Sequence, residues 1–405
     1  MLSPTEELFT RALGLEKPWR VTNIEFSPTD RRLDLHLDFS AGSTFACPRC
    51  SKQDCKAYDT SDKSWRHLDF FQHQAYLHCR VPRITCPDCG IQQVKLPWAR
   101  PGSGFTLLYE ALIMALAREM PVKALSRLLG EHDTRIWRVI QHYVKEARAK
   151  ELFFEVQRLG IDETSRRKGH QYVTLFVDLD QSKVIYVTEG KDANTIGRFS
   201  NEFHDHGGDS DAVKDICCDL SPAFIFGVEE CFPNAKITFD RFHVMKLMGE
   251  AVDRVRREEQ RQIVGLKGSR YCWLKNPETL NARQRQILQD LSQRNLKTAR
   301  AYQIRLNLRD FWDHPPDLAE DYLQKWYVWA THSRLNPVIQ VARMIKRHWQ
   351  GIMNFTKTRI NNGLLEGINS LVQAARTKAR GYRTVKYFIT MIYLIAGKLK
   401  YSLPT

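Results

Sequence analysis

The stretch RLGIDETSRRKGHQYVTLFVDLDQSKVIYVTEG (residues 158–190) decides the fold of the larger part of this chain. It contains three apolar, strand-like runs separated by short polar segments. Helical and strand-like runs then alternate as far as Asp240, through ANTIGRFSNEFHDH, VKDICCDL, SPAFIFGVEECF and KITFD. Strands followed by alternating helices predict an α/β sheet for this region.

Patterns on either side of this region predict a multidomain protein. RRLDLHLDF and HQAYLHCRVPRITC alternate like strands within the first hundred residues, and helical spacing follows a Pro- and Gly-rich linker. After the last strand the chain has helical patterns alone. We predict a β-rich module at residues 1–100, a helical module at residues 101–155, and an α/β domain that begins at residue 156 and is followed by helices.

The composition favours a polyanionic partner. The 405 residues include 61 Lys and Arg against 46 Asp and Glu, a net charge of +15, and the pI is near 9.4. The most apolar stretch, at 387–397, is too short to span a bilayer, and the N-terminal residues lack a signal-peptide pattern. We therefore expect a cytoplasmic protein, in which the ten cysteines are metal ligands or buried thiols rather than disulfides.

The charge is unevenly distributed. Residues 161–240 carry 15 acidic against 8 basic side chains, whereas residues 241–405 carry 30 basic against 12 acidic ones. An acidic block inside a basic protein fits carboxylates that hold divalent cations against phosphate. A solvated acidic surface is the alternative interpretation.

Two CxxC pairs predict a zinc site in the first module, formed by Cys47, Cys50, Cys86 and Cys89. Two such pairs can place four thiolates tetrahedrally around one structural zinc ion. The 35 residues between the pairs require at least a β-hairpin. Further donors lie in that gap and could substitute or form a second site: Cys55, His67, His73, His78 and Cys79. Redox-active or merely buried cysteine pairs are the alternative.

Residues 122–144 predict a helix-turn-helix. The first helix ends at Leu129-Gly130, and the second presents Arg135 and Arg138 to a DNA groove. An ordinary helical hairpin that buries Trp137 fits the same pattern.

Three carboxylates are candidates for a metal site. Asp162 and Asp219 each end a strand-like run, where sites form in open α/β sheets. Glu366 begins a polar face of a later helix. Along or just beyond that face lie Asn369, Arg376, Lys378, Arg380 and Arg383, which are suited to hold phosphate. Taken singly, each acid is better explained as a helix cap, a turn residue or a surface residue than as a metal ligand.

Together, such a set suits phosphodiester cleavage by two divalent cations about 4 Å apart. Oxygen ligands suit magnesium, and manganese could replace it. The ions would activate water or a 3′-hydroxyl and neutralise the leaving oxygen.

Three long motifs resemble the transposases of bacterial insertion sequences, and more narrowly the ISL-three (ISL3) group. They begin at GIDETSRRKGH, ICCDLSPAFIFGVEE and NNGLLEGINSLVQ, and the resemblance covers nearly the whole chain. It implies an N-terminal zinc-ribbon-like module, a helix-turn-helix and a ribonuclease-H-like catalytic domain. It further implies that this catalytic domain comprises residues 156–243 and 351–405, with an all-helical insertion at residues 244–350. It also implies an Asp-Asp-Glu triad, which falls on Asp162, Asp219 and Glu366, and a DRFH signature from Asp240 to His243 near the active site.

The resemblance implies a DNA transposase that cuts at terminal inverted repeats and joins the ends to target DNA. Residues 1–150 would recognise the repeats, and pairing two ends implies at least a homodimer. Binding to double-stranded DNA would place the protein at the nucleoid. A DNA-binding regulator that has lost catalysis, or a structure-specific nuclease on the same sheet, are the remaining alternatives.

Overall fold

A computed structural model describes residues 3–167, 171–294, 296–360 and 363–404. The chain divides into two compact units, Met1–Ala147 with Lys400–Thr405, and Arg148–Leu399. No helix among the described residues is long and apolar enough to cross a membrane.

The first unit begins with a short helix and a six-stranded sheet. Its elements are α1 (Pro4–Ala12), β1 (Trp19–Ser27), β2 (Arg32–Phe39), β3 (Thr44–Phe45), β4 (Cys55–Phe70), β5 (His73–Cys86) and β6 (Gly90–Gln93). The strand order is β1-β2-β5-β4-β3, with β6 on β5. β4 and β5 form a long antiparallel hairpin, and β2 runs parallel to β5. The β-rich character predicted for this region is confirmed.

Three tryptophans form the centre of this unit's core. Trp19 and Trp65 both contact Trp98 edge to face, with ring centroids 5.0 and 5.8 Å apart. All three are buried with the alternate apolar residues of β2 and β5. The period-two pattern therefore sends one face of these strands into a core.

Three helices complete the first unit: α2 (Leu107–Glu119), α3 (Val122–Leu129) and α4 (Asp133–Arg148). Gly130 ends α3 in the left-handed conformation at φ +67°, which a glycine adopts without steric penalty. The hairpin and the helices meet at charged groups inside the unit, where buried Arg66 of β4 lies 3.9 Å from buried Glu131. The predicted helix–Gly–helix is therefore present and rests on the sheet.

The second unit contains a five-stranded mixed sheet. Its strands are β7 (Arg158–Arg167), β8 (Gln171–Asp178), β9 (Lys183–Glu189), β10 (Asp215–Cys218) and β11 (Lys236–Phe239). They lie in the order β11-β10-β7-β8-β9. β7 runs antiparallel to β8 and parallel to β10, which runs parallel to β11. Helices α5 (Ala193–Asp205) and α6 (Pro222–Cys231) join the last strands, as the alternating pattern predicts.

From Arg241 to Thr358 the described residues form helices and 3-10 turns, with no strand among them. The helices are α7 (Arg241–Glu259), α8 (Arg270–Leu274), α9 (Ala282–Ser292), α10 (Lys297–Phe311), α11 (Pro316–Thr331), α12 (Asn336–Arg347) and α13 (Trp349–Thr358). Their buried faces share one continuous core with the sheet. This segment is therefore part of the second unit's hydrophobic interior.

Two helices end the chain, α14 (Gly363–Lys378) and α15 (Val385–Ala396). α14 lies against β7, where the Leu365 side chain covers Gly160. A β-carbon at Gly160 would lie 2.9 Å from both δ-carbons of Leu365 and from one δ-carbon of Leu179, so a larger residue would force these side chains to move.

The tryptophans of the helical segment differ in burial. Trp312 and Trp326 are buried, and Trp349 packs partly buried against the core. Trp329 is 40% exposed, because it lies on the outer side of α11.

Replacing Trp326 by alanine should destabilise the second unit by about 3–5 kcal/mol, since a large buried side chain leaves a cavity. The indole nitrogen also donates to the Ile304 carbonyl oxygen at 2.9 Å. Trp329→Ala, three residues along the same helix, should cost less than about 1 kcal/mol. Urea unfolding of both variants measures the difference, and equal losses would contradict this packing.

Candidate functional site

The hairpin of the first unit brings two cysteine pairs together. Cys47 and Cys50 follow β3, whereas Cys86 ends β5 and Cys89 is the last residue of the turn before β6. β3 pairs with the start of β4, and the start of β4 pairs with the end of β5. The 35-residue gap is thus closed by the β4–β5 hairpin, and Gly90 turns the chain after Cys89 at φ +69°.

The four sulfur atoms lie within 4.8 Å of one another, and those of Cys50 and Cys86 are 3.6 Å apart. Four thiolates about 2.3 Å from one zinc ion would be about 3.8 Å apart, so the set fits a tetrahedral zinc site. The backbone N–H of Cys50 lowers the pKa of Cys47 to about 7 and favours its thiolate. The residues fit structural zinc, as the sequence predicts.

The other donors in the gap do not join this group. Cys55 is buried close to it, but its sulfur approaches the Lys52 carbonyl oxygen at 3.6 Å. His67 contacts the Thr106 hydroxyl at 2.9 Å, and His78 contacts Asp34 at 2.5 Å. Among the described residues, the four CxxC cysteines are the one compact group of metal-binding side chains.

The two arginines predicted to read DNA lie on α4 but have different surroundings. Arg135 pairs with Glu131, donates to the Gly104 carbonyl oxygen at 3.2 Å and lies over the Phe105 ring. Arg138 is exposed, while Trp137 is buried. Arg135 therefore braces the start of α4, and Arg138 is the one of the two that faces outward.

In the second unit, three aspartates lie side by side on adjacent parallel strands. Asp219 and Asp240 follow the ends of β10 and β11, whereas the prediction that Asp162 ends its strand was wrong, because β7 continues to Arg167 in its pairing with β8. Cys217 pairs with Gly160, and Cys218 pairs with Phe239. Continuing this register by one or two residues aligns Asp219 with Asp162 and with Asp240. We call Asp162, Asp219 and Asp240 the carboxylate row. Ligand sites of α/β sheets form at this edge.

Local structure fixes the row. An oxygen of Asp219 accepts a hydrogen bond from the Ser221 backbone N–H at 2.9 Å, just before α6. Asp240 is buried and caps α7 through the Phe242 N–H, while its other oxygen contacts His243 Nδ1 at 2.8 Å. Asp162 Oδ1 accepts from the Glu163 N–H at 2.7 Å.

The electrostatics of the row favour a cation. Burial raises the pKa of Asp162 to about 6, and the charges of Asp219 and Asp240 act in the same direction. Burial also raises the pKa of Glu163 to about 7. The hydrogen bond with Asp240 raises the pKa of His243. A bound cation would relieve this repulsion and keep the carboxylates ionised.

A series of three polar contacts, which we call the α14–β7 ladder, joins α14 to β7. Asn369 donates to Asp162 Oδ2 at 2.6 Å, and Gln373 donates to the Thr164 hydroxyl at 2.6 Å. Arg376 donates to the Arg166 carbonyl oxygen at 3.0 Å. These contacts, at three- and four-residue spacing, place the polar face of α14 against the strand that carries Asp162.

Glu366 lies one helical turn before Asn369, and its side chain is exposed. That spacing puts Glu366 on the same side of α14 as Asn369, which contacts Asp162. Asp162, Asp219 and Glu366 do not form a group of metal-binding atoms within 4.8 Å of one another. Among the basic positions predicted to hold phosphate, Arg376 is partly buried, and the following ones are exposed: Lys378, Arg380 and Arg383.

Sequence reasoning missed Glu163, Arg166 and Arg167. Successive side chains of a strand point to opposite faces, so the sequence pattern places Glu163 on the face opposite Asp162. The pattern therefore does not reveal that the charges of Asp162 and Asp219 help to raise the pKa of Glu163. The two arginines matter only because α14 lies beside them, which is a contact across more than 200 residues.

The cysteine group should retain about one zinc ion per chain, and Cys86→Ser should lose it and unfold the β4–β5 region. Cys55→Ser is the matched control, since it removes a nearby thiol outside the group. Metal content by mass spectrometry and proteolysis of each purified variant measure both effects. Zinc loss from the Cys55 variant with retention in the Cys86 variant would contradict this ligand set.

Comparison with known proteins places this geometry in a family. An ISL3 model described as a transposase matches residues 159–392. A helix-turn-helix domain of transposase family ISL3 matches residues 94–144, and the zinc-finger of transposase IS204/IS1001/IS1096/IS1165 matches residues 43–89. The first matched segment contains the carboxylate row, the second contains helix α3 and most of helix α4, and the third contains the four CxxC cysteines.

Two relatives align over nearly the full chain. The transposase for insertion sequence element IS1557 of Mycobacterium tuberculosis is 27% identical, covering 98% of this chain and 97% of its own length. The transposase for insertion sequence element IS1001 of Bordetella parapertussis is 26% identical, covering 94% and 96%. Because the transposase model also spans more than half of the chain, this protein belongs to the ISL3 family of insertion-sequence transposases.

Proposed function

We propose that this transposase cuts and joins DNA with an Asp-Asp-Glu site on a ribonuclease-H-like sheet. The sheet order β11-β10-β7-β8-β9, with only β8 antiparallel to its two neighbours, supports that fold. The proposed catalytic domain comprises residues 156–243 and 351–405, and the all-helical insertion comprises 244–350. Residues 1–100 and 101–155 are the proposed zinc module and helix-turn-helix domain of the first unit.

One observation carries the catalytic proposal: α14 is tied to Asp162 through Asn369. Because Glu366 lies one helical turn before Asn369, this contact supports Glu366 as the third carboxylate, although 147 residues separate it from Asp219 along the chain. Hard oxygen ligands in an acidic, half-buried setting fit magnesium or manganese. We assign Asp162, Asp219 and Glu366 as the ligands of two such ions.

When bound, these ions would supply an activated water or 3′-hydroxyl and would stabilise the leaving oxygen. The chain's own groups prepare the site. Asn369 fixes the orientation of the Asp162 carboxylate, and the capped turn fixes Asp219. Asp240 holds His243 beside the row, where its raised pKa favours a positive imidazole near the phosphate.

We propose that the first unit recognises the terminal inverted repeats. Arg138 is the exposed candidate for base or phosphate contact on α4, and Arg135 orients that helix. The basic C-terminal part would follow the backbone of terminal and target DNA, so binding should weaken as salt rises. Synapsis of two ends requires at least a homodimer, and work on DNA places the enzyme at the nucleoid.

The enzyme proposal is favoured over a catalytically lapsed regulator because all three carboxylates are present. It is favoured over a structure-specific nuclease because the end-binding modules belong to the same chain. Dependence of cutting on terminal-repeat sequence separates a transposase from such a nuclease.

Glu366→Gln should lower cutting at the element ends by at least about 10²-fold, because it removes one anionic metal ligand. Binding to the same ends should change less than twofold. Cleavage of a supercoiled plasmid carrying both ends, with magnesium, manganese or chelator, measures the first effect, and gel shift measures the second.

The matched control is Glu320→Gln, an equal charge change on the exposed face of α11. It should cut normally. Full cutting by the Glu366 variant would show that another acid completes the site. Tight end binding by wild type without cutting in either metal would favour the regulator.

A further inference from the structure

Five arginines converge on one pocket beyond the carboxylate row. The pocket encloses about 560 Å³ and is formed by the end of β7 together with the turn between α14 and α15. We call it the arginine pocket and define it by these side chains: Arg166, Arg167, Arg376, Arg380 and Arg383. Thr377, Gly381 and Tyr382 complete its lining.

The pocket lacks its own counter-charges. No Asp or Glu among the described residues lies within ion-pair distance of these five guanidinium groups, and the masked positions contain no Asp or Glu. Arg158, at the other end of the same strand, does pair with Asp180. Arginine stays protonated in proteins, so the five positive charges repel one another unless an anion enters.

The pocket is held in shape by hydrogen bonds to backbone. Arg166 and Arg167 reach the Arg383 carbonyl oxygen at 3.5 and 3.4 Å. Arg380 and Gly381 turn the chain back over β7 with positive φ angles of 56° and 90°. These contacts join the strand to the turn, so the two walls of the pocket are held together before an anion binds.

The Arg166 guanidinium is only partly satisfied. Its Nη1 donates to Gln171 Oε1 at 3.0 Å, and its Nε atom is inaccessible to solvent and has no hydrogen-bond partner among the described residues. Arg380 and Arg383 are exposed, and the planar guanidinium of each can offer paired donors to two phosphate oxygens. The chemistry of the pocket is therefore that of a phosphate site.

The residue spacing along β7 and α14 gives the distance from this pocket to the proposed active site. Arg166 follows Asp162 by four strand residues, about 13 Å. Arg376 follows Glu366 by ten helical residues, about 15 Å. Since successive phosphates of one DNA strand advance about 3.4 Å along the axis, either distance spans at most about four nucleotides.

We propose that the arginine pocket binds one phosphodiester of the DNA strand that is cut, within about four nucleotides of the scissile bond. This inference rests on the proposed catalytic site, which supplies the origin of the distance. The pocket holds that strand in register while Asp162, Asp219 and Glu366 act on the bond. Arg166 and Arg167 thereby join Arg376, Arg380 and Arg383 in a single contact.

The test replaces single phosphates of the cut strand by uncharged methylphosphonates, one position at a time, in a duplex carrying one element end. Dissociation constants for the full chain are measured with chelator present, so that cutting is not needed. Arg383→Gln should weaken DNA binding about tenfold. Because one phosphate contact is lost, the plot of log association constant against log salt concentration should become less steep by about 0.9. Arg166→Gln serves as a second variant from the opposite wall.

The decisive result is coupling. At one phosphate within about four nucleotides of the cut, the methylphosphonate should weaken DNA binding by the wild-type protein. The same methylphosphonate should cause no further loss of binding in Arg383→Gln or Arg166→Gln. Arg283→Gln, an exposed arginine on α9, is the matched control and should leave the sensitivity of that phosphate intact.

Three results would overturn the pocket assignment. The binding losses of variant and methylphosphonate could be additive at every phosphate, or coupling could occur only at phosphates farther than about four nucleotides from the cut. The third is an Arg383→Gln variant that binds DNA as tightly as wild type. The proposed catalytic function fails separately. Coupling at one phosphate near the repeat end, in a protein that cuts with neither metal, would retain the pocket and reject the catalytic site.

Discussion

The attachment of α14 to β7 is the constraint on which the second unit's site depends. Leu365 closes over Gly160, and the amide of Asn369 then contacts Asp162. The first interaction uses the absence of a side chain at Gly160, and the second uses the carboxylate of Asp162, two residues later on the same strand. Without them, Glu366 would belong to a helix with no fixed relation to the two strand aspartates, and the motif would remain three separate acids.

The α14–β7 ladder has acidic side chains at one end and basic side chains at the other. Its first contact touches the carboxylate row, where burial raises the pKa of Asp162, and its last contact lies at the arginine pocket. In the proposed function, divalent cations bind at one end and a phosphate binds at the other. A nucleic acid backbone accompanied by divalent ions would satisfy both ends at once, in keeping with an acidic block at residues 161–240 of a basic chain.

The sequence predicted those features that depend on local pattern. The cysteine spacing identified the zinc-type group, the Leu129-Gly130 turn separated α3 from α4, and alternating runs predicted the strands. Features set by long-range packing were missed. Trp329 has the same apolar character as Trp326 but faces outward, and Arg166 acquires its role only where the turn after α14 reaches β7.

The central claim is that Asp162, Asp219 and Glu366 form one metal site when DNA is bound. Anomalous diffraction from crystals of the full chain with element-end DNA and manganese tests it most directly. We predict two manganese peaks about 4 Å apart, contacted by Asp162, Asp219 and Glu366. Manganese bound by Asp240 or Glu163 with Glu366 turned away would contradict the account.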